Sequence, residues 1–249
     1  METAEHIDAL RAAGRDLAEA ARIAGPAAPV PACPGWHVRD LVAHIGGVHR
    51  WATAYVAERR AEAMDQAERA RYRDAVPDDA ELVDWYATAH AALVAALETA
   101  PPDLECWTFL PASSPLAFWA RRQAHETLIH RIDAEAAAGK PGARPDTALA
   151  ADGIDELLTC FLTRPKSTLR ADPARSLGVR ASDVDEEWYV RIGPDKVEVL
   201  HGPGGSADCV ITGPAADLYL FLWNRAGTED LRVTGDASLL ALWRESARV

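Results

Sequence analysis

Gly139-Lys-Pro-Gly-Ala-Arg-Pro145 is where the chain changes character. Two prolines and two glycines in seven residues stop a helix and start a linker. Upstream, 39 of the first 150 residues are alanine; downstream, only 11 of the last 99 are. Alanine is the best helix former and a poor strand former. The split therefore predicts two domains: a helical one over residues 1–140 and a mixed one over 147–249.

Working back from the linker, four long helical patterns fill the first part. Residues 4–24 carry Ile7, Leu10, Leu17 and Ile23 before Gly25-Pro26 ends the run. A second pattern follows Pro34-Gly35, with Trp36 and Leu41 at the N′ and N4 positions of a hydrophobic staple, His37 at the cap and Asp40 at N3. A third covers about 79–99 after Pro77-Asp-Asp, and a fourth about 115–138. Four such helices predict a bundle. The 101–115 connection holds four prolines and is long enough to be functional.

Beyond the linker the pattern predicts a small α+β domain. A helix over 149–163 comes first. The β-rich segments Leu177–Arg180, Trp188–Ile192, Val197–Leu200 and Cys209–Thr212 are separated by turn signals, which predicts an antiparallel sheet. A helix from Pro214 to about Arg225, a brief strand at Leu231–Thr234 and a last helix over Asp236–Ala247 complete it.

Composition narrows the function. The chain has 249 residues, 26 Lys plus Arg, 38 Asp plus Glu and a formal charge of −12. So acidic a protein repels nucleic acid and anionic membrane surfaces. No apolar run approaches the ~18 residues of a membrane span. With no basic and apolar leader at the N-terminus, a cytoplasmic protein is expected. The four cysteines, at 33, 106, 160 and 209, form no C-x-x-C pair and are too sparse for a disulfide scaffold.

His125-Glu126-Thr-Leu-Ile-His130 carries the chemistry. The zincin pattern H-E-x-x-H needs a histidine at 129, which is Ile. Glu126 and His130 nevertheless stand at i and i+4, one turn apart on one helix face, where a carboxylate oxygen and an imidazole nitrogen can converge on one metal ion. A third ligand should come from a facing helix, and the second helix offers His44 and His49. They differ by about 500° of rotation and cannot easily share a site. His44, among Leu41, Ile45 and Val48, is expected on the more buried side, and His49, before Arg50, is expected exposed. The alternative is a solvated Glu–His pair and a satisfied core histidine.

Three stretches together resemble a known family. Cys33-Pro-Gly-Trp-His-Val-Arg-Asp-Leu-Val-Ala-His44 with Gly46-Gly-Val-His-Arg-Trp51 looks like the second helix of the mycothiol-dependent maleylpyruvate isomerases, a branch of the DinB-like metal-binding four-helix bundles. Trp119 through Glu135 resembles their fourth helix. Val210 through Arg225 with Val233-Thr-Gly-Asp236 is similar to their C-terminal domain, which is likened to sterol carrier proteins. His37 departs from the threonine cap common in the family.

The resemblance implies His44, Glu126 and His130 as ligands of Zn²⁺ or another divalent metal with an open position, and mycothiol as the thiol cofactor. A cation lowers a thiol's pKa, and the thiolate is the nucleophile. In the implied isomerisation it adds to the double bond of a cis-enedione acid, the single bond rotates, and elimination gives the trans product; related enzymes transfer the thiol. The partner is then a small, anionic electrophile, and the protein a monomer or homodimer. The resemblance also places a functional arginine near Arg225, where it could hold a carboxylate; the competing role is to complement a helix C-terminus. Arg121 and Arg122, one turn before Glu126, are further candidates for anion or cofactor binding, against a solvated charge. Two other classes stay open: a zinc hydrolase using metal-activated water through the same ligands, and a non-catalytic small-ligand-binding protein.

Overall fold

Val38–Ala57 forms a helix because an apolar stripe, Val38, Leu41, Val42, Ile45, Ala52 and Tyr55, is buried along its length. Its start is fixed by Asp40, whose carboxylate accepts the His37 N–H at 2.9 Å. In this computed structural model, which describes residues 1–140 and 144–247, it is the second element (α2). Pro141–Ala143, the middle of the expected linker, lies outside the described residues.

The chain divides into two compact units, Met1–Ala143 and Arg144–Val249. In the first, α1 (Thr3–Ala24), α2, α4 (Asp79–Thr99) and α5 (Pro115–Ala137) are the four long helices. Leu17, Leu41, Ile45, Leu82 and Tyr86 meet in their common core. Helix α5 is capped by Ser114, which accepts the Ala117 N–H at 3.1 Å. It is buried nearly all round. Helices α2 and α5 run antiparallel: His44 faces Glu126, His49 faces Thr127, and Trp51 meets Trp119.

A fifth helix, α3 (Gln66–Asp74), was not expected. It buries none of its residues and so carries no apolar period to read. Its boundary is set by a capping box in which Asp65 accepts the Glu68 N–H and Glu68 accepts the Asp65 N–H. Two successive glycines let neighbours close on α2. A Cβ on Gly46 would lie 2.1 Å from the Trp85 ring of α4. One on Gly47 would lie 3.1 Å from the Tyr72 carbonyl of α3.

The second unit opens with α6 (Thr147–Asp155), which widens into π-helical turns over Glu156–Phe161. Five strands follow, β1 (Arg175–Ala181), β2 (Glu187–Ile192), β3 (Val197–His201), β4 (Cys209–Gly213) and β5 (Arg232–Gly235). Helix α7 (Ala215–Leu222) packs on α6, β1 and β4, and α8 (Ser238–Ser246) closes the unit.

The sheet is mixed, not antiparallel throughout. Its order is β3-β2-β1-β4-β5, and β4 runs parallel to β1 while the other pairs are antiparallel. A meander would have set β4 beside β3. Instead the Asp208 carboxylate accepts both the N–H and the hydroxyl of Ser176, at 2.7 and 2.8 Å, which fastens the start of β4 to the start of β1. Strand composition carries no information about that choice. Among the described residues no helix is long and apolar enough to cross a membrane.

Candidate metal centre

One turn of α5 brings Glu126 and His130 together: His130 Nε2 lies 3.6 Å from Glu126 Oε1. The packing of α2 on α5 adds His44, whose Nε2 is 3.2 Å from the same oxygen. One ligand atom from each of the three lies within 4.8 Å of the others. Exposure rises from His130 (10% of the side chain) through Glu126 (23%) to His44 (34%), so the cluster is anchored on α5 and opens towards solvent on the α2 side.

Each donor is held from behind. His130 Nδ1 is 3.0 Å from Asp133 Oδ2, one turn further along α5, and Asp133 is buried. Arg122, buried one turn before Glu126, donates to Glu126 Oε2 at 2.8 Å. The Trp36 ring lies parallel to His130, with centroids 6.3 Å apart, and tilts against His44 at 5.2 Å. Burial by itself would raise the Glu126 carboxyl, but hydrogen bonds from His130 and His44 and the Arg122 charge outweigh it, holding the group well below the usual carboxylate range. Burial lowers His130, but its bonds to Asp133 and Glu126 prevail and lift it to about 9.

The donor set suits a divalent transition metal. Two imidazole nitrogens and a carboxylate oxygen converge, and the outer nitrogen of His130 is already engaged by a carboxylate, the arrangement that orients metal-bound histidines. Sequence reasoning missed Asp133, although its i+3 spacing from His130 was a readable signal. Cys33, not expected to be catalytic, also reaches this cluster, its Sγ 3.6 Å from Asp133 Oδ2.

His44 and His49 exchange the environments expected of them. His49 is fully buried: its Nε2 meets Thr127 Oγ1 at 2.8 Å, and its ring packs on Tyr86 and His90 of α4. His44 is the more exposed of the two. The reason is the five-residue offset, which turns His49 into the α2–α4–α5 core while His44 looks out along the α2–α5 seam. His125 is also buried, on the α1 side of α5, its ring 5.9 Å from that of His6.

The candidate arginines are placed differently from one another. Arg122 is not a solvated charge but is buried against Glu126. Arg121 is half-buried on the same helix. Arg225 lies in the second unit, just past the end of α7, which stops at Leu222 rather than at Arg225. There its guanidinium donates to the Trp223 carbonyl at 2.8 Å.

The mycothiol maleylpyruvate isomerase N-terminal domain model matches residues 7–135, and the MDMPI C-terminal domain model matches residues 148–242. The crystal structure of the mycothiol-dependent maleylpyruvate isomerase superposes with a TM-score of 0.64 at 12% identity, covering 95% of each chain. A point variant of that enzyme matches equally. At this identity the likeness is one of fold. A ubiquinone synthesis protein, UbiJ-SCP2, is 25% identical over 41% of this chain and 96% of its own, but its TM-score of 0.29 carries no argument. No curated protein matches the sequence. With both domain models matched in order over most of its length, this chain belongs to the mycothiol maleylpyruvate isomerase family.

Proposed function

We propose that this chain is a metal- and mycothiol-dependent enzyme of the maleylpyruvate isomerase type, acting on a small electrophile, with the metal held by His44, Glu126 and His130. The observation that carries the reading is the convergence of these three donors on one point between α2 and α5, in a chain of that family. When bound, a divalent ion such as Zn²⁺ supplies positive charge that favours the thiolate form of a nearby thiol. Glu126 and His130 form the buried floor of the site, and Arg122 and Asp133 fix their orientation. Trp36 covers the two imidazoles and keeps water off one side. His44, on the open side, leaves room for thiol and substrate. Isomerisation and thiol S-transfer share this first attack and differ only in whether the thiol departs again. Arg121 and Arg122 are the further residues proposed for the site, Arg122 through Glu126; for Arg225 the family resemblance is the only support.

The test is metal analysis of the purified protein, then calorimetric titration of mycothiol into metal-loaded protein and product analysis over a panel of electrophiles. One equivalent of metal, lost in His44→Ala and Glu126→Gln, and mycothiol binding that depends on it are expected. A metal-loaded protein that binds no mycothiol overturns the thiol reading.

A further inference from the structure

On the Nδ1 side of the His130 ring, away from Glu126, three chemically different donors meet. Asp133 Oδ2 lies 3.0 Å from His130 Nδ1 and 3.6 Å from Cys33 Sγ. One ligand atom from each of the three lies within 4.8 Å of the others. Of the four cysteines, at 33, 106, 160 and 209, only Cys33 joins such a group among the described residues. It precedes α2 in a turn closed by backbone bonds. The Cys33 N–H donates to the Val30 carbonyl at 3.1 Å, and the Trp36 N–H donates to the Cys33 carbonyl at 2.9 Å. The same turn sets the Trp36 ring against His130. One short segment therefore delivers both a thiol and an indole to a single imidazole.

The spacing is that of a coordination sphere. Around a tetrahedral ion with bonds of about 2.0–2.3 Å, neighbouring donors stand about 3.3–3.6 Å apart. The Cys33–Asp133 separation already falls there, and the His130–Asp133 separation needs to widen only slightly. Asp133 and His130 are buried, whereas Cys33 is half-buried and gives the approach from outside. A thiolate, an imidazole and a carboxylate together favour a thiophilic divalent ion; the His44, Glu126 and His130 set holds no sulfur.

We propose that Cys33, His130 and Asp133 form a second metal position, taking a thiophilic divalent ion such as Cd²⁺ or Zn²⁺, and that filling it excludes the first. On binding, the Cys33 thiol proton leaves to solvent and the sulfur coordinates as thiolate. A neutral imidazole offers one nitrogen as acceptor and carries its proton on the other. With Nδ1 on the ion, the proton sits on Nε2, which then points at Glu126 and is lost to the first position. His130 thus serves one ion at a time, and the two positions sort metals by their affinity for sulfur. The exclusion rests on the reading of His44, Glu126 and His130 as metal ligands; the second position itself does not.

Cd²⁺ is the probe, because a thiolate–cadmium bond adds an ultraviolet charge-transfer band that nitrogen and oxygen ligands do not. Titrated into His44→Ala protein, it should raise this band to a plateau at one ion per chain. The band should vanish in the double variant His44→Ala/Cys33→Ser, with the circular dichroism of both proteins matching the wild type. Glu126→Gln, which also disables the first position, should behave like His44→Ala. Wild-type protein should hold one ion in all, with a weaker band because the ion divides between two positions, and Cys33→Ser should hold one ion with no band. Absence of the band in both His44→Ala and Glu126→Gln overturns the proposal. So does a band that survives Cys33→Ser, which would put the ion on another cysteine. Two ions on one wild-type chain overturn the exclusion. Cys33→Ser protein that binds no ion removes the first position, while the band in His44→Ala still upholds the second.

Discussion

The Nδ1 atom of His130 sits 3.0 Å from the buried carboxylate of Asp133, while its Nε2 faces Glu126. An ionised carboxylate only accepts hydrogen bonds, so it keeps a proton on Nδ1 and leaves Nε2 as the atom offered to the centre. Asp133→Asn replaces that acceptor with an amide that can donate instead, and the opposite ring tautomer becomes competitive. The expected result is about a 10–100-fold loss of metal affinity with the helical content unchanged. Competition against a chromophoric chelator, alongside circular dichroism, measures both, and unaltered affinity removes Asp133 from the site.

Gly46 lets α4 close on α2. A methyl group there would overlap the Trp85 ring at 2.1 Å. Gly46→Ala should therefore destabilise the first unit by about 1–3 kcal/mol, despite alanine's better helix propensity. Urea unfolding gives the number, and Trp85→Leu in the same background should recover part of it by removing the obstructing ring.

Trp119 is fully buried, its ring about 5 Å from those of Trp51, Tyr55 and Phe118. Its Nε1 donates to the Trp107 carbonyl at 3.1 Å, which ties the proline-rich 101–115 connection to α5. Trp119→Ala should cost about 3–5 kcal/mol and expose that connection to cleavage. Limited proteolysis with mass mapping should find the first cut near Trp107; a first cut elsewhere would show that the tether does not hold the loop.

His90 makes stability depend on pH. Burial lowers its pKa, with Arg15 and Arg11 of α1 adding to the effect and a bond to the Leu10 carbonyl opposing it; the His49 ring tilts against it, with centroids 5.6 Å apart. A base with a depressed folded pKa binds fewer protons folded than unfolded. Its contribution is therefore complete above the unfolded value of about 6.5 and is lost as pH falls from there through the folded value. Between pH 7 and 5 the urea midpoint of the wild type should fall more steeply than that of His90→Gln. Parallel slopes would assign the acid sensitivity to other groups.

These features differ in how far they could be read from the residues. Helices α1, α2 and α4 were legible because each buries an apolar stripe, α5 from Phe118, Ile129 and Ile132, and the mixed character of the second part because alanine thins out where β-branched and turn residues begin. The closeness of Glu126 to His130 follows from helix geometry alone. What approaches from α2 does not: His44 and His49 differ in burial because of how α2 is rotated against α4 and α5, a property of three packed helices. Helix α3, with no buried residue, has no period to detect. The parallel pairing of β1 with β4 joins segments 32 residues apart in the chain, as the bond from Ser176 to Asp208 beside it does, and neither leaves a local signal.

The burial of α5 on nearly every side and the absence of any buried residue in α3 set the mechanical character of the cleft. Local opening costs least where few apolar contacts must be broken. Glu126 and His130 thus belong to the part of the unit that opens last, whereas α3 is the part that opens first. Helix α3 can therefore yield while Glu126 and His130 stay in register. Amide exchange should record that division, fast along α3 and slow along α5.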